Sequence, residues 1–282
     1  MKTLRYRQNN SVKPGILDND GNIRNASSIV EDWDNNTIKT DRLNELLKTD
    51  LTNLPIVKSI DGIAPCLAKE SIGKFICIGL NYADHAEETG QKVPPEPIIF
   101  FKATSAVIGP NDNVEIPKNS TKSDWEVELG VIIGKEAKYI EEDESQSHIA
   151  GYCVVNDLSE RKFQIEHSGQ WVKGKSCDTF GPIGPYIVTA DEVKDPQNLK
   201  LWLDLNGKRM QDGSTKTMVY GVNFLISYIS KFMSLQPGDI ISTGTPPGVG
   251  MGLNPQVWLK PGDEMHLGIE GLGEQKQKTV SA

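Results

Sequence analysis

Asp124-Trp125-Glu126-Val127-Glu128-Leu129-Gly130-Val131-Ile132-Ile133-Gly134 sets two carboxylates at the head of an apolar strand. Residues two apart on a strand share a face, so Glu126 and Glu128 project together while Val127 and Leu129 project oppositely. Side by side, the carboxylates repel, and burying either one unpaired carries a large desolvation penalty. A divalent cation removes both penalties at once. Asp157 offers a third carboxylate at the end of another apolar strand, Tyr152-Cys153-Val154-Val155-Asn156-Asp157, where the chain turns into an expected helix over SERKFQ. An all-oxygen set selects a hard ion, Mg²⁺ first, with Mn²⁺ and Ca²⁺ as rivals.

Outward from this stretch, strands are expected in KFICIGL, PIIFFKA, GYCVVND, GPYIVTA, LWLDL, DIISTG and EMHLGIEG, and Asn206-Gly207 marks a hairpin. Helices are expected around 141–149 and 222–235. Strands dominate and do not alternate regularly with helices, which predicts a mixed, mostly antiparallel α+β fold. Residues 1–68 differ in character. They offer short strands in TLRYRQ and VKPGILD, a turn at Asn19–Asn22 leading to IRNASSIV, and a helix from Thr40 with Leu43, Leu46 and Leu47 on one face. Lacking any cluster of reactive side chains, this segment reads as a small structural N-terminal domain, with residues 69–282 as the main domain.

The 282 residues suffice for a substantial core. No apolar run approaches the roughly 20 residues that cross a bilayer, and MKTLRYRQNN lacks the apolar core of a signal peptide, so the expected location is cytoplasmic, with no membrane partner. A net charge of −8 argues against a nucleic-acid surface. The four cysteines show no paired spacing, which argues against a disulfide framework or zinc site, and Cys77 and Cys153 read as buried thiols.

A second reactive group lies in Asn81-Tyr82-Ala83-Asp84-His85-Ala86-Glu87-Glu88. On a helical turn His85 and Glu88 share a face, and a carboxylate beside imidazole raises its basicity and fits it to activate water. Lys173-Gly174-Lys175 and the glycine-rich loop Thr243–Gly250 offer cations, hydroxyls and backbone N–H groups to an anionic ligand. The polar segment from Asn81 to about Pro95 is expected to move and to close over that ligand.

In this order, IGLNYADHAEE, PIIFFKATSAVIGP, DWEVELGVIIG, GYCVVNDLSERKFQ, GKSCDTFGPIGP, LNGKRMQDG and GDIISTGTPPGVG resemble the fumarylacetoacetate hydrolase family over residues 72–280. The resemblance implies a mixed β-sandwich roll, a homodimer, and Mg²⁺ or Mn²⁺ on Glu126, Glu128 and Asp157. It further implies a catalytic pair in His85 and Glu88, Lys175 against oxyanion charge, and Gln164 and Thr245 at the substrate's oxygens. Asp124 is not carried over as a ligand. The motifs look most like the sugar-acid branch, which includes 2,4-diketo-3-deoxy-L-fuconate hydrolase and relatives named ureidoglycolate lyase. The expected reaction is hydrolysis of a C–C bond in a small 2,4-dioxo acid with release of pyruvate. Oxaloacetate decarboxylation and hydroxymuconate-type isomerisation stand as alternatives on the same site.

Overall fold

The computed structural model describes residues 1–88, 90 and 92–282. Strand Val127–Ile133 is buried on both faces, which is why it is apolar apart from Glu128 and Gly130. Val127, Leu129, Val131 and Ile133 enter one core cluster, and Ile132 enters a second on the opposite face. The strand pairs antiparallel with Ile149–Asn156 on one side and with Ile240–Ser242 on the other. Ile240–Ser242 then runs parallel to Phe75–Gly79, whose antiparallel neighbour is Ile98–Lys102. These strands belong to a mixed sheet, 11-stranded among the described residues, and a five-stranded sheet covers the first cluster with Leu201, Leu203 and Leu267.

The expected α+β class is the one found: open mixed sheets with few helices. Among the described residues the longest α-helix, Val222–Ser230, has 9 residues, and none is long and apolar enough to cross a membrane. The hairpin expected at Asn206-Gly207 joins Lys200–Leu205 to Lys208–Ser214, with φ of 51° and 79° at the two turn residues.

The first 68 residues extend the main sheet, since Lys2–Gln8 pairs with both Ser11–Leu17 and Gly181–Thr189. Their Trp33, Ile38, Leu43 and Leu46 share a core cluster with Cys77, Ile132 and Cys153.

Several local expectations are corrected. Leu47 caps its helix at 37% exposed, while Leu43 and Leu46 are buried. Of IRNASSIV only Ile23–Asn25 is strand, and the helix expected to reach 235 stops at Ser230. The stretch 141–149 forms a 3₁₀ helix, Glu142–His148, behind a Glu141/Glu144 capping box. SERKFQ gives a short strand, Ser159–Glu160, and one π-helical turn, Lys162–Glu166. A strand absent from the sequence reading, Gly273–Ser281, turns Gln275, Gln277 and Thr279 inward.

Candidate active site

One oxygen each of Glu126, Glu128 and Asp157 lies within 4.8 Å of the others, and all three side chains are buried. Backbone pairing sets this up. Asp157 N–H donates to the Glu126 carbonyl at 2.9 Å, extending the ladder just past Val127 and Asn156. Glu126 therefore lies just outside the strand, and Glu128 inside it. Glu128 Oε2 accepts from Ser242 Oγ at 2.6 Å and from Gly244 N at 2.9 Å.

The cluster is not left to repel itself. Lys175 Nζ lies 2.6 Å from Glu126 Oε2 and 2.7 Å from Asp157 Oδ2. Lys102 Nζ is 2.7 Å from Asp157 Oδ1, and Arg161 Nη2 is 2.6 Å from Glu126 Oε1 and 2.8 Å from Asp124 Oδ2. Three buried cations thus already neutralise much of the charge, alongside any divalent ion the acids hold. Asp124 belongs to Arg161 and to the backbone N–H groups of Gly250 and Met251, in keeping with its omission from the ligand set. The donors still fit a hard divalent ion. They are all carboxylate oxygens, and the Lys175 ammonium already puts a positive charge between two of them. Glu126, Glu128 and Asp157 would hold the ion.

Lys102 is fully buried and also donates to the carbonyls of Leu158 and Lys175. Lys102→Met leaves Asp157 with one counter-ion and should destabilise the protein by about 3 kcal/mol, measured by urea unfolding. A change below ~1 kcal/mol would show that Lys102 does not support the cluster.

Burial, followed by the neighbouring Asp157 and Glu126 charges, pushes the Glu128 carboxyl well above the usual carboxylate range. Burial acts the same way on Glu126, but Lys175 and Arg161 overcome it and hold that carboxyl well below the range. On Lys175 burial works against the charge, yet Asp157 and Glu126 prevail and keep it protonated. A divalent ion favours the ionised form of Glu128 that burial disfavours. Its affinity should fall as pH drops through that raised value, with proton release on binding. Titration calorimetry in buffers of different ionisation enthalpy checks this; a buffer-independent heat would contradict it.

His85 lies on helix Ala83–Glu88, is 6% exposed, and places Nδ1 3.3 Å from Glu88 Oε2. Glu88 is itself held by Gly248 N at 2.9 Å. The tautomer in which Nδ1 donates to Glu88 puts the ring's lone pair on Nε2. The segment expected to act as a lid, 81–95, includes Thr89 and Gln91, which lie outside the described residues.

A cleft of about 200 Å³ brings together His85, Glu126, Glu128, Gln164, Lys175 and Thr245. Gln164 comes from the π-helical turn, and its Oε1 accepts from Arg161 Nη1. Lys175 ends helix Val172–Lys175, whereas Lys173 is exposed and bonds to the His167 carbonyl. Of that pair, only Lys175 lines the cleft. The glycine-rich loop also departs from expectation. Its N–H groups at Gly244, Gly248 and Gly250 go to Glu128, Glu88 and Asp124, so it orients acids of the protein. The Thr245 hydroxyl donates to the Val127 carbonyl and accepts from Gln211.

Sequence reasoning missed Arg161, Lys102 and Ser242. Lys102 carried a usable signal: a lysine closing the apolar strand PIIFFK poses the same burial problem as the two glutamates.

Comparison with known proteins gives concordant matches. Residues 74–280 match the model for the fumarylacetoacetate hydrolase C-terminal family. A Burkholderia multivorans protein named "Putative hydrolase" is 56% identical over the whole of both chains. The structure of a fumarylacetoacetate hydrolase from Exiguobacterium antarcticum is similar at TM-score 0.90, with 32% identity and both chains fully covered. A maleylpyruvate hydrolase from Sphingobium superposes at TM-score 0.82 with 27% identity over all of both chains. For a 5-carboxymethyl-2-hydroxymuconate delta-isomerase from Mycobacterium smegmatis the values are 0.77 and 28%, covering 100% of this chain and 99% of that one.

Proposed function

This chain belongs to the fumarylacetoacetate hydrolase family, and from that premise we propose that it hydrolyses a C–C bond in a small 2,4-dioxo acid of acylpyruvate type, releasing pyruvate, with a divalent ion, Mg²⁺ first. The observation that carries the reading is the meeting of two half-sites in one cleft: a buried imidazole, His85, backed by the half-buried Glu88, and a buried carboxylate cluster. The bound ion supplies Lewis-acid storage for the charge of the pyruvoyl end. His85 Nε2 takes a proton from water, and Glu88 stabilises the resulting imidazolium. The hydroxide adds to the C4 carbonyl, where Lys175 supplies fixed positive charge. As the C3–C4 bond breaks, its electron pair goes to C3, and His85 returns the proton there. Gln164 and Thr245 line the cleft; the Gln164 amide N–H groups can donate to the substrate's oxygens, whereas the Thr245 hydroxyl proton already goes to the Val127 carbonyl.

Charge supports the reading. Four acids (Asp124, Glu126, Glu128, Asp157) face three cations (Lys102, Arg161, Lys175), and a divalent ion takes this cluster to one net positive charge, suited to one carboxylate. The isomerase similarity favours a second reading, in which His85 moves a proton between carbons without adding water. The two separate in one assay: hydrolysis releases pyruvate from acylpyruvates, whereas isomerisation changes enone absorbance with none released. A working homodimer in the cytoplasm is part of the same proposal.

A further inference from the structure

The polar groups described so far occupy only part of the cleft. Ile78, Leu80, Phe100, Ile165, Trp171 and Met251, with Gly79, supply the apolar part of the wall. Phe100 and Trp171 meet edge to face at 5.3 Å, and the Phe100 ring lies 5.2 Å from Lys175 Nζ. The apolar surface therefore begins beside the cation. Trp171 can sit there because residue 79 is glycine: a Cβ at that position would come within 2.5 Å of the indole.

Among the described residues lining the cleft, the cationic side chains are Arg161 and Lys175, with His85 as the one other group able to take a positive charge. Arg161 is engaged by Asp124 and Glu126, and Lys175 by Glu126 and Asp157. A second carboxylate on a substrate would enter this wall without a counter-ion, and a hydroxylated tail would lose hydrogen bonds to water. We propose that the group beyond the scissile bond is a short, uncharged, apolar acyl chain, and that Trp171 determines this specificity. The inference rests on the 2,4-dioxo acid reading and separates this chain from relatives acting on substrates with a second carboxylate.

Binding tests it without requiring turnover. Calorimetry with the Mg²⁺-loaded protein should show 2-oxohexanoate binding at least about 10-fold more tightly than 2-oxoadipate, which carries a carboxylate at the far end. Trp171→Ala should erase most of that preference, Trp171→Phe should keep it, and Gly79→Ala, by displacing the indole, should weaken 2-oxohexanoate more than pyruvate. Thermal unfolding identifies any variant that fails to fold, and the wild-type comparison stands regardless. Equal or tighter binding of 2-oxoadipate overturns the inference, as does an unchanged preference in folded Trp171→Ala. Pyruvate release from valerylpyruvate and from succinylpyruvate is measured in parallel. If both 2-oxo acids bind with the expected ratio and neither substrate is cleaved, the hydrolase reading fails while the specificity survives. If neither 2-oxo acid binds, both fall.

Discussion

Glu128→Gln should lose pyruvate release by about 10³-fold even in excess Mg²⁺, the equivalent of roughly 4 kcal/mol of Lewis-acid stabilisation. The substitution keeps an acceptor for Ser242 Oγ and Gly244 N and removes only the charge that an ion needs. The same variant should be no less stable than the ion-free parent. Burial raises the Glu128 carboxyl above its unfolded value, so its ionised form opposes folding at pH above that value, and an uncharged amide is free of the penalty. Metal analysis, steady-state rates and urea unfolding of the two proteins give the test. A metal-free Glu128→Gln that turned over at the parental rate would end the case for a catalytic ion. A large loss of stability would show that the carboxylate is structural.

His85→Ala should cost C–C hydrolysis about 10²–10⁴-fold, the usual contribution of a positioned base. The carboxylates and Lys175 are untouched, so 2-oxo acid binding should change little. Oxaloacetate decarboxylation, which needs no attacking water, should survive the substitution far better. Glu88→Gln should be milder, since it retains the imidazole 3.3 Å away but not the negative partner. Its Gly248 N–H contact can persist through the amide oxygen, so a folded variant is expected. The measurement pairs pyruvate release from an acylpyruvate with CO₂ release from oxaloacetate. If both activities fall together, His85 is not a water-activating base, and the isomerase or decarboxylase reading moves ahead.

What could be read in advance followed from residues in the wrong company. Glu126 and Glu128 were conspicuous because carboxylates head an apolar strand, and Asp157 because it ends one. The cations that neutralise them come from distant parts of the chain, Lys102 from strand Ile98–Lys102 and Arg161 just before the π-helical turn, and only the sheet order brings them together. The strand Gly273–Ser281 was illegible for the opposite reason. Its inward residues are Gln275, Gln277 and Thr279, so the pattern is polar throughout. Gln275 bonds to the carbonyls of Val154 and Gly184, which a hydrophobicity pattern cannot register. The loop Thr243–Gly250 was legible as a set of donors but not as to their recipients, because the acids it serves lie elsewhere in sequence.

The place of Lys175 between Glu126 and Asp157 has a bearing on how such a protein meets a changing supply of metal. Proteins whose folding free energy comes from the ion itself unravel when it is withdrawn. Here a tethered ammonium covers two of the three acids at 2.6 and 2.7 Å. On the proposed reading, scarcity of the ion is expected to silence the chain without unfolding it, and returning supply to restore activity.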